Sequence, residues 1–358
     1  MLNLRNDVIN VFELMKQDKK LIIYGAGAST KLLLEAYYHK GLKDCLAFIV
    51  DRNERLDETF LEAGNNIRVK VVSLKSFCLK YAAQVQEFNM LIMPYTALTI
   101  VMALDKIEEL DHLDTYVYSL IVNRKKPNIF SLRNADKPLI PKKIHYFWIG
   151  GNPMPEEDKR NIESWRKYAP DYEIIEWNES NYDFSTHPYS YEALKNKKYM
   201  YATDYARKDI LYRYGGIYLD TDVELVAPLD DLLYNEVFVG IDDGGQLNSG
   251  SGLGAVKNHP VIKTFMDLYE GVNFVSPDGS FNYKYNTYYE TKYMISRGFE
   301  IRNEFQLIDG ISCFPREVFM PEGFIGLDDD YTLNTVANHK INPYDKTGVK
   351  KVLERIKG

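Results

Sequence analysis

Cysteine is scarce in this chain: three among 358 residues, at Cys45, Cys78 and Cys313, widely spaced and with no Cys-x-x-Cys pair. That excludes a disulfide framework, and a reducing, cytoplasmic setting is expected. Positive charge is not in excess either, since 44 Lys and Arg against 51 Asp and Glu leave a formal net charge of -7. A general nucleic-acid binder, which depends on a basic surface against phosphates, is therefore not expected. No apolar run is long enough to cross a bilayer; the least polar stretch, Met90 to Leu104, is short and broken by Pro94. It reads as the strand MLIMPY followed by a helix through Leu110. The opening MLNLRNDVINVFELMKQDKK lacks the apolar core of a signal peptide and reads as an amphipathic helix. No internal repeat is present. What the chain does have is core material: 45% hydrophobic residues and 13% aromatics in a length exceeding one average domain, so two domains are expected.

The most informative stretch is Ala202 to Glu224, ATDYARKDILYRYGGIYLDTDVE. Ala206, Ile210, Leu211 and Tyr214 recur at helical spacing, which places Asp204 and Arg207 on one face about a turn apart. Gly215-Gly216 ends that helix, and the apolar run Ile217-Tyr218-Leu219 reads as a strand that stops in two carboxylates, Asp220 and Asp222. Hard oxygen ligands at a strand end can hold a divalent cation, and a cation there can neutralise a departing diphosphate. The bland readings are loop aspartates and an exposed helical ion pair worth little.

The string DYARKDILYRYGGIYLDTDVELVAPLDDLL, beginning at Asp204, resembles the sugar-binding region of family 32 glycosyltransferases. That group includes yeast alpha-mannosyltransferases and bacterial capsule and lipopolysaccharide enzymes. IPKKIHYFWIGG, Ile140 to Gly151, resembles the opening of the same catalytic domain, and related clostridial toxin glucosyltransferases share both pieces. The resemblance covers about residues 138 to 340. It implies that Trp148 stacks on the nucleotide base, where the alternative is a strand tryptophan filling the core. It also implies that Asp204 and Arg207 hold the donor sugar and phosphate side, that Asp220 meets the ribose or sugar and a metal-bound water, and that Asp222 ligates the metal directly. His339, in TVANHK, stands where the family carries a further metal ligand, although the Ser-Trp that usually follows is absent; the acidic run Asp328-Asp329-Asp330 competes for that role. Asn248, within GIDDGGQLNSGSGLGAVKNHP, is placed to offer an amide to donor or acceptor. That segment, Gly240 to Pro260, reads as a loop system at strand ends.

Upstream, KKLIIYGAGASTKLLLEAYYHKG reads as a strand, a glycine turn and a helix, and CLAFIVDRN as a second strand ending in Asp51. This is the start of a doubly wound α/β sheet resembling small Rossmann-like modules of surface-polysaccharide proteins. Gly25, Gly27 and Asp51 make a second candidate nucleotide site, but Thr30 stands where the fingerprint wants a third glycine. Asp51 could hold a ribose hydroxyl or cap the turn before Arg52, and the module could bind a nucleotide or only scaffold.

The expected organisation is a Rossmann-like domain over 1–125, a linker over 126–140, an α/β catalytic domain of glycosyltransferase-A type over 141–343 and a C-terminal helix over 344–358. That helix, with Val349, Val352, Leu353 and Ile356 as its apolar stripe, either packs on the body or touches an anionic membrane surface. The expected activity is metal-dependent, retaining transfer from a UDP-sugar, or GDP-mannose, to a saccharide or lipid-linked acceptor in capsule or lipopolysaccharide synthesis. Mn2+ or Mg2+ is the implied cofactor, and the implied location is the cytoplasm, with peripheral contact at the inner membrane face. A sugar-nucleotide oxidoreductase or epimerase is the alternative, although the first half has no Tyr-x-x-x-Lys helix; a non-catalytic carbohydrate binder is another, against which the intact Asp204, Arg207, Asp220 and Asp222 speak.

Overall fold

The computed structural model describes residues 1–64, 66–94, 96–124, 129–322, 329–340, 352, 354 and 355. Its first half builds one sheet from β1 (Asn3–Leu4), β2 (Lys20–Tyr24), β3 (Leu46–Asp51), β4 (Phe60–Ala63), β5 (Ile67–Ser73), β6 (Phe88–Ile92) and β7 (Asp114–Val117). The order is β1-β7-β6-β2-β3-β5-β4, with every neighbouring pair parallel except β4 and β5. The core strands β2 and β6 are buried along most of their length and β3 over Phe48–Val50, as strands covered on both faces must be. The strand order reverses at β2, between β3 on one side and β6 on the other, which is the switch point of a doubly wound sheet.

The opening segment differs from expectation. It is the edge strand β1 followed by a helix of only Val11–Met15, started by Asn10, whose side chain accepts the Glu13 N–H. Pairing with β7 takes the first residues out of any helix. The helix expected to run through Leu110 stops at Leu104, and a short 3-10 turn follows at Glu108–Leu110.

The second half contributes β8 (Lys143–Phe147), β9 (Glu173–Trp177), β10 (Gly216–Tyr218), β11 (Val223–Leu225), β12 (Val237–Ile241), β13 (Leu247–Ala255), β14 (Gln306–Ile308), β15 (Ile311–Phe314) and β16 (Ala337–His339). Seven of them form a sheet in the order β14-β15-β12-β13-β10-β8-β9, while β11 pairs with β16 alone. β8, β9 and β10 are mutually aligned; β13 runs against both β10 and β12 because the short turn from β12 can only reverse the chain. Helices Glu156–Tyr168 and Tyr199–Tyr214 accompany these strands, giving the α/β class expected.

The glycine-rich stretch expected as loop has β13 at its centre, nine residues long and almost wholly buried. Its glycines answer a packing demand. A Cβ on Gly254 would sit 2.2 Å from the Phe238 ring, and one on Gly252 2.7 Å from Phe319.

The halves touch. Helix Asn286–Ser296 packs on helix Ala28–Tyr37, with Lys292 paired to Glu35 at 3.0 Å, and Tyr288 and Ile301 join the first half's core. Near the C-terminus Val352 is buried with Leu2, Leu104 and Leu110, and Arg355 pairs with Asp105 and donates to the Leu2 carbonyl at 2.9 Å. These contacts are with the body of the protein. Val349, Leu353 and Ile356 lie outside the described residues, as do residue 125 and residues 126–128 of the expected linker. Among the described residues no helix is long and apolar enough to cross a membrane.

Candidate active site

Helix Tyr199–Tyr214 is buried over nearly its whole circumference and ends at Gly215, whose φ of 67° suits glycine. Gly216 (φ 117°) then starts β10. Both glycines sit against neighbours: a Cβ on Gly216 would lie 2.9 Å from His145 Nε2. His145, 0% exposed on β8, fastens this corner. Trp177 Nε1–H donates to His145 Nδ1 at 3.1 Å, which leaves Nε2–H to donate to the Gly215 carbonyl at 2.8 Å. Burial drives the imidazole pKa down to about 4, so it is neutral near pH 7.

The corner delivers Asp220 and Asp222. The Asp220 N–H donates to the Gly250 carbonyl at 3.2 Å, and its carboxylate accepts from the Tyr218 hydroxyl at 2.8 Å and meets Arg207 at 3.3 Å. Arg207 also pairs with Asp204 at 3.5 Å, and both of these side chains are buried, so the exposed-pair reading does not hold. Burial pushes the Asp204 carboxyl up to about 6 despite Arg207 and Lys208 nearby, and its Oδ2 is buried without a hydrogen-bond partner.

Asp222 directly precedes β11, and β11's pairing with β16 sets Val223 opposite His339. His339 Nε2 lies 3.1 Å from Asp222 Oδ1, and the Lys340 N–H donates to the Asp222 carbonyl at 2.9 Å. Burial raises the Asp222 carboxyl, but His339 outweighs it and leaves the group below the usual carboxylate range. Burial lowers His339, and Asp222 reverses that and raises it. One ligand atom from each of Asp220, Asp222 and His339 can be chosen so that all lie within 4.8 Å of one another. Two ligands at about 2.1 Å from one cation sit about 3 Å apart when cis, so the Asp222–His339 spacing fits a shared divalent ion. Of the competing acidic run, Asp328 lies outside the described residues, Asp329 is exposed and Asp330 lies 4.0 Å from Arg316.

Asn248 turns its side-chain oxygen to the Gly250 and Ser251 N–H groups at 3.0 and 3.4 Å, shaping the strand beside Asp220. Trp148 follows directly on β8, half-buried, with its indole N–H on the Asn152 carbonyl at 2.8 Å. β8 runs parallel beside β10, so Trp148 and Asp220 both follow the C-terminal ends of their strands, at the same end of the sheet. A surface cleft of about 520 Å³ lined by Glu179–Ser185, Tyr191 and Leu194 involves none of the carboxylates above.

Gly25, Gly27 and Asp51 sit in the other half. Both Asp51 oxygens accept backbone N–H groups, from Ala26 at 2.7 Å and Asn53 at 2.8 Å, and buried Thr30 donates its hydroxyl to the Gly25 carbonyl. Asp51 thus serves the turn itself.

Sequence reasoning missed the layer beneath the site. Lys208 and Glu290, both fully buried, pair at 2.6 Å; Lys208 also donates to the Asp204 carbonyl at 2.7 Å, and Ser249 donates to Glu290 at 3.1 Å. Gly250 was missed as well: a Cβ there would lie 2.3 Å from Asp220 Oδ2 and 3.1 Å from the Arg207 guanidinium. Lys208 next to Arg207 inside an apolar helix was the one available signal, since a buried lysine requires a partner.

The model of the glycosyltransferase sugar-binding region containing the DXD motif matches residues 155–239. The chain is 31% identical over 162 residues to inositol phosphoceramide mannosyltransferase 1 of Schizosaccharomyces pombe, covering 43% of this chain and 48% of that one. It is 35% identical over 127 residues to inositol phosphoceramide mannosyltransferase 3 of the same organism, covering 34% and 35%. The solved PaToxG glycosyltransferase overlays 37% of this chain and 60% of its own at 20% identity, with a TM-score of 0.30, too slight a likeness to define a fold. The chain spans about half or less of the curated relatives it matches. Residues 155–239, with Asp204, Arg207 and Asp220-Thr221-Asp222 inside them, are thus the part of this chain that matches a DXD-containing glycosyltransferase sugar-binding region.

Proposed function

We propose that this chain transfers a sugar from a nucleotide-sugar donor to a saccharide or glycolipid hydroxyl, with a divalent cation bound by Asp220, Asp222 and His339. The observation that carries the reading is the convergence of those three side chains beside the buried Arg207. The donor set, two carboxylates and an imidazole, suits manganese or magnesium. When bound, the cation supplies charge neutralisation at the departing diphosphate.

The chain's own residues do the rest. Arg207, held charged among Asp204 and Asp220, offers guanidinium N–H groups to the donor's phosphate side. Asp204, whose Oδ2 is buried without a hydrogen-bond partner, is assigned to the donor sugar's hydroxyls as the family resemblance implies. Trp148 carries the base. In the transfer, the acceptor hydroxyl oxygen bonds to the donor's anomeric carbon while the bond from that carbon to the phosphate oxygen breaks. The nucleoside diphosphate leaves with the electron pair, and the hydroxyl proton passes to it or to solvent. Retention of anomeric configuration is what the family resemblance implies, and no nucleophile is assigned.

The relatives' names make a mannosyl donor and a phosphoinositol-bearing lipid acceptor the first pair to try, ahead of the UDP-sugar and surface polysaccharide expected from sequence. Contact with the inner membrane face belongs to the same proposal. Calorimetric titration with GDP-mannose and UDP-sugars, with manganese and with chelator, tests the binding step. Trp148→Ala should weaken nucleotide binding by roughly 1–3 kcal/mol. Equal affinity in the variant would remove the base-stacking role.

A further inference from the structure

A second cluster on this half is aromatic and faces water. Tyr283 and Tyr285 are 52% and 51% exposed, on the segment that follows a bridge between Val275 and Phe281. Solitary exposed tyrosines are ordinary, but these two are braced from behind. Tyr285 stacks on the buried Tyr201 at 5.5 Å, and Tyr283 lies 5.7 Å from Tyr201 and 5.8 Å from Phe281. The Lys198 ammonium rests over the Phe281 and Tyr283 rings at 5.6 and 5.7 Å and makes no ion pair among the described residues.

The cluster is tied to the carboxylates along two routes. Tyr201 lies one helical turn before Asp204. Tyr285 precedes Asn286, whose amide donates to Ser249, and the next residue, Gly250, accepts the Asp220 N–H at 3.2 Å. A braced ring offers a flat apolar face with little entropy left to lose, which suits the C–H face of a pyranose or cyclitol. A cation without a carboxylate partner favours an anion beside that ring.

We propose that Tyr201, Tyr283, Tyr285 and Lys198 form the acceptor subsite, which takes a sugar or cyclitol ring bearing a phosphate. The proposal rests on the transferase reading above. It applies equally to a soluble phosphosugar and to a phosphorylated lipid head group.

The test uses the full chain, its Tyr283→Ala/Tyr285→Ala double variant and Lys198→Gln. Saturation-transfer NMR is recorded with mannose 6-phosphate and with methyl α-mannoside. Both variants change exposed or half-buried positions, and nucleotide binding with manganese serves as the control for folding and for the donor site. The expected result is a loss of mannose 6-phosphate affinity on the order of tenfold in the double variant. Lys198→Gln should narrow the preference for the phosphorylated sugar over the methyl glycoside, and nucleotide affinity should stay unchanged throughout. Competition by phosphatidylinositol vesicles but not phosphatidylglycerol vesicles would support the site and name a lipid head group as its source. Unchanged binding in the double variant, no binding of mannose 6-phosphate to the intact chain, displacement by nucleotide alone, or equal competition by both vesicles would overturn the proposal. Failure of the intact chain to bind any nucleotide would instead strike the transferase reading, leaving the sugar result to stand by itself.

Discussion

Asp220 is held by three separate contacts, and that makes its neighbour Gly250 a sharp test at the level of single residues. The Tyr218 hydroxyl, Arg207 and the Gly250 carbonyl fix the carboxylate and backbone of Asp220, so a methyl group 2.3 Å from Oδ2 has to displace something. Gly250→Ala should cost on the order of 1–3 kcal/mol of stability, as overpacking does, and lower turnover by more than that loss of folded protein explains. Melting curves and activity on the same samples separate the two effects; full activity would mean that Asp220 need not stay where it is. Asp204, Arg207, Asp220 and Asp222 were legible in sequence because their chemistry and spacing lie within one short segment. Gly250 and Glu290 were not, because they meet the site only through the pairing of β13 with β10 and the docking of helix Asn286–Ser296.

At the scale of elements, helix Tyr199–Tyr214 and its glycine corner depend on two buried polar devices. His145 is the first. The unfolded chain protonates it below the ordinary value of 6.5, whereas the native imidazole refuses the proton until about pH 4. Stability therefore falls as pH drops through that window, by about 3 kcal/mol across its width. Urea midpoints at pH 7 and pH 4.5 should differ less in His145→Asn than in the unaltered chain; an identical pH dependence would contradict the assignment. The second device is the Lys208–Glu290 pair. Lys208→Met leaves a buried carboxylate alone and should destabilise by roughly 3–5 kcal/mol, while Lys208→Met with Glu290→Leu should recover much of the loss. Denaturant titrations check both. The helix, its stop at Gly215 and the strand after it were readable from periodicity. β13 was not: glycine's local preference argues for loop, and what decides the matter is the approach of Phe238, Phe319 and Asp220 to the strand. The opening helix is cut back to Val11–Met15 for a similar reason, since at Asn3–Leu4 pairing with β7 outweighs a weak helical pattern.

For the whole molecule, two α/β sheets share a seam in which helix Ala28–Tyr37 of the first packs on helix Asn286–Ser296 of the second. The second helix also carries Glu290 beneath the site and follows directly on Tyr285. The first half thus braces, from behind, the element that supports both the buried ion pair and the exposed tyrosines. Its alternating strands and helices could be read from sequence, whereas this seam could not, because it joins positions far apart in the chain. Both halves support the site at which Asp222, with Asp220 and His339, is proposed to hold a cation needed for sugar transfer. The direct measurement is nucleotide release from GDP-mannose and a panel of UDP-sugars, with manganese and with chelator, by the intact chain and by Asp222→Asn. The expected result is release from one donor that needs the cation and disappears in a variant with an unchanged melting temperature. Undiminished release by folded Asp222→Asn, or release indifferent to chelator, would contradict it.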